Sequence, residues 1–144
     1  TGLRKSDVKA FSWEMIQPEA DGTLYITTRM QKTKQIVHNP IGEEALALID
    51  SDSRMGLVFP GFKDSMTQTA LKQWIKAAGI TKNITYHSSR HTYCTLQLEA
   101  GTDSRTVQEL VGHKNLATTQ CYLDSVSSRK KEAANRITLK RKVE

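Results

Sequence analysis

Tyr122 lies downstream of cationic and imidazole side chains whose order and spacing suit phosphoryl transfer. His87 and Arg90 are separated by two serines, and Tyr122 follows His113 by nine residues. A phenolic oxygen can attack a phosphodiester when cationic donors hold the phosphate oxygens. The ordinary pKa of tyrosine is about 10, so the phenol also needs a base or a nearby positive charge. The pattern therefore predicts a tyrosine nucleophile in a cationic phosphate site.

Attack by Tyr122 on a DNA phosphate would form a phosphotyrosine and release a sugar hydroxyl. Because the new ester keeps the bond energy, the hydroxyl of a different strand can reverse the step without ATP. Such chemistry cuts and rejoins DNA strands. An isolated tyrosine is far more often a packing residue, so the prediction depends on the joint occurrence of the cationic positions.

These motifs closely resemble the catalytic signature of the tyrosine recombinases, the phage integrase family. The matching segments are Thr1-Gly2-Leu3-Arg4, His87-Ser88-Ser89-Arg90, Leu110-Val111-Gly112-His113 and Thr118-Thr119-Gln120-Cys121-Tyr122. The resemblance runs essentially from end to end. It implies six catalytic positions, all filled by residues that the family uses: Arg4, Lys32, His87, Arg90, His113 and Tyr122. Lys34 lies in the same turn as Lys32 and stays open as the alternative lysine.

The resemblance and the needs of phosphoryl transfer together assign a role to each position. Arg4 and Arg90 would clamp the non-bridging oxygens, because a planar guanidinium matches phosphate geometry. His113 would add a hydrogen bond to the same oxygens. Lys32 would protonate the leaving 5′-oxygen, and His87 would help to manage the tyrosine proton. This scheme needs no metal and no other cofactor.

The strand pattern lies near the N-terminus. Residues 24–28 and 35–38 are rich in β-branched and aromatic side chains, which predicts two strands. Residues 32–34 form the expected turn between them, and Asn39 and Pro40 are expected to end the second strand. With helices over most of the remaining chain, the prediction is an α+β fold, mainly α-helical, with a small antiparallel β-sheet. The resemblance implies the integrase-like, DNA breaking-rejoining fold.

The helical pattern covers most of the chain after residue 43. Ser6 is expected to cap a short helical stripe over residues 5–13. Trp74 and Leu96 are expected to face the core, and Cys121 is expected to be a small buried residue. Further helices are predicted at about 43–50, 65–78, 88–100 and 104–111, and from about 116 through Tyr122.

Length and charge bound the kind of protein. A chain of 144 residues is about one domain, and its net charge of +6 favours a polyanionic partner. No apolar run approaches the roughly 18 residues that a membrane span needs. We expect residues 1–124 to be the tyrosine recombinase catalytic domain, without the family's N-terminal part and core-binding domain. Residues 125–144 are expected to form a polar tail, either exchanged between protomers or disordered.

The partners follow from the resemblance. It implies double-stranded DNA, a homo-tetramer assembled on two DNA sites, and accessory DNA-bending proteins in some systems, with no membrane partner. A cytoplasmic protein of bacterial, phage or mobile-element origin is expected. The two cysteines, Cys94 and Cys121, form no CxxC spacing, which agrees with a reducing compartment.

Three other functions remain open from the sequence. A type IB topoisomerase uses similar chemistry without pairing two sites, and a binding-only DNA module would form no covalent adduct. A zinc-stabilised protein is the third, because His87, His91 and Cys94 are spaced to share one helical face. Ser88 stands where an HExxH motif would have its glutamate, which weakens that alternative.

Overall fold

The structure is a computed structural model that describes residues 1–49 and 54–122. Segment 125–144, for which an exchanged or disordered tail is expected, lies outside the described residues. Within them the helices are α1 (Lys5–Lys9), α2 (Glu43–Ala47), α3 (Leu71–Ala77), α4 (Tyr86–Glu99), α5 (Ser104–Val111) and α6 (Ala117–Gln120). The strands are β1 (Ile16–Pro18), β2 (Leu24–Arg29) and β3 (Ile36–Pro40). A 3₁₀ turn covers Trp13–Met15, and a π-helical turn, Met66–Ala70, leads into α3. No described helix is both long enough and apolar enough to cross a membrane.

The strands form an antiparallel sheet in the order β1-β2-β3. β2 and β3 make the predicted hairpin, which is closed by hydrogen bonds from Met30 N to Gln35 O (2.8 Å) and from Lys34 N to Met30 O (2.8 Å). The second strand ends at Pro40 as expected, but Asn39 and Pro40 pair with β2 and therefore extend the predicted strand by two residues. β3 is an edge strand, where a proline can be accommodated because one side of the strand needs no ladder bonds.

The helices α4 and α5 carry clear local signals at their N-termini. Asp103 caps α5, and its carboxylate accepts hydrogen bonds from the backbone N–H groups of Arg105 (2.9 Å) and Thr106 (3.0 Å). At the start of α4, the backbone N–H of Thr85 donates to Ser88 Oγ (3.1 Å). These caps fix where the two site-bearing helices begin.

Other helical predictions need correction. α1 begins after Arg4, whose carbonyl accepts from the N–H groups of Asp7 and Val8, so Ser6 lies inside the helix and caps nothing. The segment predicted as one helix over 65–78 starts with the π-helical turn. Trp74 and Leu96 were expected to face the core, but they are 71% and 57% exposed. Helical periodicity identifies a repeating face without showing whether another element covers it.

The core consists of separate clusters that support different parts of the site. α4 and α5 share a cluster of Cys94, Leu98, Val107, Val111 and Tyr122. A second cluster, of Leu3, Met30 and Val37, joins the N-terminal segment to the hairpin, and a third, of Phe11, Ile26 and Ile41, underlies the sheet. The expected nucleophile is therefore part of the hydrophobic core.

Candidate active site

Arg90 is the most constrained residue of the predicted set. Only 1% of it is exposed. Its Nη1 donates to the carbonyl of Gly2 (2.7 Å), and its Nη2 donates to the carbonyl of Val111. The guanidinium thus joins the N-terminal segment, α4 and the end of α5. Charge-assisted bonds to two carbonyls fix the plane of this side chain.

The two predicted arginines keep unused donors. Arg4 Nη1 and Arg90 Nε are buried, and neither has a hydrogen-bond partner among the described residues. Burial, followed by the positive charge of Arg4, lowers the pKa of Arg90 to about 10, so it remains protonated at neutral pH. The two guanidinium groups repel each other, and each has a free N–H donor. An anion that accepts hydrogen bonds from both would satisfy these donors and offset the repulsion.

Gly2 makes the Arg90 arrangement possible. Its φ of +64° lies in the left-handed region, and an added Cβ would stand 2.6 Å from Cδ1 of Tyr93. A residue with a side chain is therefore disfavoured both by conformation and by space. The glycine lets the backbone approach closely enough for its carbonyl to accept from Arg90.

His113 is buried just after α5, with 7% of the residue exposed. Its Nδ1 lies 2.9 Å from Oγ1 of Thr119, and its carbonyl accepts from Nε2 of Gln108 (3.0 Å). Burial, followed by the nearby positive charges, lowers the pKa of His113 to about 4. The imidazole is therefore neutral at pH 7, with one nitrogen able to donate and the other able to accept.

Tyr122 is 8% exposed and lies two residues beyond the end of α6, rather than on the helix as expected. Its backbone N–H donates to the carbonyl of Thr119 (3.1 Å). Burial raises the pKa of the phenol, Cys94 and Cys121 raise it further, and the positive charge of Arg90 opposes them. The hydroxyl is protonated at neutral pH, so nucleophilic attack needs a proton acceptor.

Two histidines connect the start of α4 to Tyr122. The ring of His91 meets the ring of His87 edge-on at a centroid distance of 4.6 Å, and it meets the ring of Tyr122 at 5.2 Å and 62°. The pKa of His87 is lowered, first by burial, then by the neighbouring His91, and then by the positive charges of Arg90, Arg4 and Lys32. His87 thus reaches the tyrosine through His91, a residue outside the six predicted catalytic positions.

Lys32 lies exposed at the tip of the β2–β3 hairpin. Its charge is among those that lower the pKa of His87, which puts it at the edge of the cationic cluster. Lys34 has a φ of +60°, and its charge is not among those acting on His87. The charge of Lys32 therefore acts on the candidate site, and the choice between Lys32 and Lys34 as the catalytic lysine stays a prediction.

Asp7 is a site-supporting residue that the sequence reasoning missed. It is 5% exposed, and its Oδ1 accepts from the backbone N–H of Gln31 (2.8 Å), next to Lys32. The carboxylate therefore ties α1, just after Arg4, to the hairpin that carries the lysine. Its position three residues after Arg4 places both on one helical turn, which was the available signal.

The two cysteines differ in burial. Cys94 is buried, whereas Cys121 is exposed and its thiol donates to the carbonyl of Thr118 (3.0 Å), so the expectation of a buried Cys121 is wrong. α6 ends at Gln120, which leaves the following thiol on the outer side of a turn.

The structure does not support the zinc alternative. Across residues 1–49 and 54–122, no group of three histidine, cysteine or acidic side chains can hold a metal ion, and this includes His87, His91 and Cys94.

The chain has relatives among known proteins. Residues 1–129 match the model of the phage integrase family, and the chain belongs to that family. Over 135 residues it is 33% identical to the tyrosine recombinase XerD of Lacticaseibacillus casei, which covers 85% of this chain and 46% of XerD. The chain therefore spans less than half the length of that relative.

Solved structures agree on the fold. The recombinase XerH, crystallised with its difH substrate in a post-cleavage complex, aligns with a TM-score of 0.69 at 20% identity, over 93% of this chain and 42% of XerH. The catalytic domain of bacteriophage HP1 integrase aligns with a TM-score of 0.67 at 22% identity, over the whole chain and 80% of that domain. The predicted α+β, mainly helical, integrase-like fold is confirmed.

Proposed function

We propose that this chain is the strand-cleaving part of a site-specific DNA recombinase that acts through a covalent 3′-phosphotyrosine. The observation that carries the proposal is a cluster of cationic and imidazole side chains around Arg90, whose charge acts on the phenol of Tyr122. Two arginines there retain buried N–H donors without partners, and a neutral histidine lies in the same electrostatic cluster. Donors fixed before substrate binding are what a phosphoryl-transfer transition state requires.

In the proposed cleavage step, Oη of Tyr122 attacks the scissile phosphorus and the bond from phosphorus to the 5′-oxygen breaks. The phenol proton passes to the histidine pair, of which His91 contacts the tyrosine ring and His87 is held neutral by its lowered pKa. Lys32 gives a proton to the departing 5′-oxygen. Rejoining is the reverse: a 5′-hydroxyl attacks the phosphotyrosine, and the tyrosine is released.

The negative charge of the transition state is spread over the non-bridging oxygens. Arg4 and Arg90 stabilise this charge by donating hydrogen bonds from their free N–H groups to these oxygens. The carbonyls of Gly2 and Val111 keep Arg90 in place. His113 donates a further hydrogen bond to the same oxygens. Loss of one such donor typically lowers the rate by about 10²–10³.

The partners of the complete protein are also proposals. The net charge of +6 and the fold shared with XerH, which was crystallised on DNA, support double-stranded DNA as the substrate. We propose that residues 1–124 form the catalytic domain and that residues 125–144 dock on a neighbouring protomer. Four protomers would pair two DNA sites, with accessory DNA-bending proteins in some systems. A bacterial or mobile-element protein acting in the cytoplasm fits this function.

A covalent-trapping gel tests the proposal. The longest natural form of the protein is incubated with nicked duplexes that carry candidate sites, and the products are denatured and separated. An adduct that also forms in EDTA and is absent with Tyr122→Phe is expected. If the protein binds the duplex but gives no adduct, the chain is a DNA-binding module instead.

A further inference from the structure

Thr119 is a buried polar residue to which the proposed chemistry gives no role. It lies in α6 and is fully buried, with 0% of its surface exposed. Its hydroxyl contacts Nδ1 of His113 at 2.9 Å, and its carbonyl accepts the backbone N–H of Tyr122 at 3.1 Å. One threonine therefore connects the proposed oxyanion donor to the segment that carries the nucleophile.

The charge state of His113 makes the direction of this hydrogen bond important. Burial and the surrounding cations lower its pKa to about 4, so the ring carries a single proton at pH 7. That proton lies either on Nδ1, beside Thr119, or on Nε2, on the opposite side of the ring. Only a proton on Nε2 lets His113 donate to a phosphate oxygen on that side.

A threonine hydroxyl can donate or accept, so it can stabilise either tautomer. We propose that Thr119 donates its hydroxyl proton to Nδ1 of His113, which places the imidazole proton on Nε2 and aims it at the scissile phosphate. This inference rests on the proposed function, because it gives His113 the role of an oxyanion donor. Thr119 is then a positioning residue that acts through His113 and never touches the DNA.

The tautomer can be measured directly without any variant. The histidine rings of the longest natural form are labelled with ¹⁵N, and the ring nitrogen signals are recorded at pH 7, with His113→Gln used to assign the signal of His113. We expect Nδ1 to give the shift of an acceptor nitrogen and Nε2 that of a protonated one. A proton on Nδ1 would overturn the proposal, whether or not any variant folds.

The rate of adduct formation should differ between two variants of Thr119. Thr119→Val removes the hydroxyl at nearly constant shape, whereas Thr119→Ser keeps it. Single-turnover adduct formation on nicked duplexes should fall by about 10-fold or more in Thr119→Val, less than the roughly 10²–10³ for direct loss of a donor. Thr119→Ser should recover most of the rate. DNA affinity should stay within about twofold in both, because the phosphate contacts that govern binding are kept.

The matched control is Thr118→Val, the same change one residue earlier on the exposed side of α6, which should leave the rate unchanged. In a His113→Ala background, Thr119→Val should have no further effect, since the histidine through which it acts is gone. A wild-type rate in Thr119→Val with unchanged His113 shifts would refute the inference. Absence of a Tyr122-dependent adduct from the wild type would refute the proposed function instead, and the tautomer measurement would still decide this inference.

Discussion

The two sides of the candidate site are built in opposite ways. On the helical side, Arg90, His113 and Tyr122 are all more than nine-tenths buried, and each is fixed by hydrogen bonds to the surrounding backbone or side chains. On the hairpin side, Lys32 is exposed at a turn that Asp7 holds by accepting a hydrogen bond from the backbone of the neighbouring Gln31. One side is buried, and the other is exposed to solvent.

This difference separates two demands of strand cleavage. Groups that stabilise charge on the phosphate must be in place before the reaction, because reorganisation in the transition state would raise the barrier. A group that donates a proton to a leaving oxygen must follow that oxygen as it departs. Substitutions on the helical side should therefore affect stability and rate together, whereas those on the hairpin side should affect only the rate.

The largest effect is expected from Arg90→Ala. It leaves the carbonyls of Gly2 and Val111 without their donor in the core, which should lower the free energy of unfolding by about 2–4 kcal/mol. Adduct formation should fall by at least about 10²-fold. Denaturant titration and the trapping gel measure the two effects. Full stability in the variant would show that the helical side is not built around this arginine.

Next in size is Lys32→Ala, compared with Lys34→Ala in the same turn. Loss of the proposed proton donor should slow cleavage by about 10²-fold, while the unfolding midpoint should stay unchanged because Lys32 is exposed. Lys34→Ala should cleave like the wild type. A duplex whose leaving 5′-oxygen is replaced by sulfur, which departs without a proton, should restore the Lys32→Ala rate. Equal loss in both variants would contradict the assignment.

Gly2→Ala tests the backbone support of Arg90. The added Cβ meets Tyr93 at 2.6 Å and requires a left-handed φ, so stability should fall by about 2–3 kcal/mol. Gly22→Ala is the control, because its φ is +84° but no atom lies within 4 Å of the added Cβ. It should cost about 1 kcal/mol from strain alone. Similar losses in both would remove the close approach at Gly2 as a structural requirement.

A further prediction concerns the pH dependence of stability. The pKa of folded His113 is about 4, below its ordinary value of 6.5, so between these values only the unfolded chain gains the proton. The contribution of neutral His113 to the free energy of unfolding should therefore be complete at pH 7. The free energy of unfolding should fall by up to about 3 kcal/mol as the pH drops to 4. In His113→Gln this part of the curve should be flatter. An unchanged slope would mean that other groups control acid unfolding.

The sequence predicts the elements that carry strong local signals. α5 has the predicted bounds, because Asp103 caps it and Gly112 ends it in a left-handed conformation. The β2–β3 hairpin was also foreseen. β1 was missed because three residues that include Pro18 give too short a pattern. Burial was less predictable: Trp74 sits in a helical pattern typical of a core face, but no described element covers it.

The site was predictable only as a set of residue types. Motif spacing selected side chains whose charges act on one another in the structure, but it could not show how they are held. The contact of Asp7 with the hairpin spans 24 residues and that of Arg90 with Gly2 spans 88, and no local pattern encodes such pairs. The contact between His91 and Tyr122 likewise depends on how two helical segments pack. The positions of the site side chains depend on tertiary packing, which the helix and strand propensities of the sequence do not predict.

The anchoring of Arg90 has a consequence for the newly made chain. Positions 2, 90 and 111 must all be present and packed before the guanidinium is fixed. Translation supplies the last of them after the first two, and Tyr122 later still. A ribosome-bound chain that lacks Val111 therefore has an unsupported arginine and no nucleophile. Under the proposed function, such an incomplete chain would lack both the fixed arginine and the tyrosine that are needed to cleave DNA.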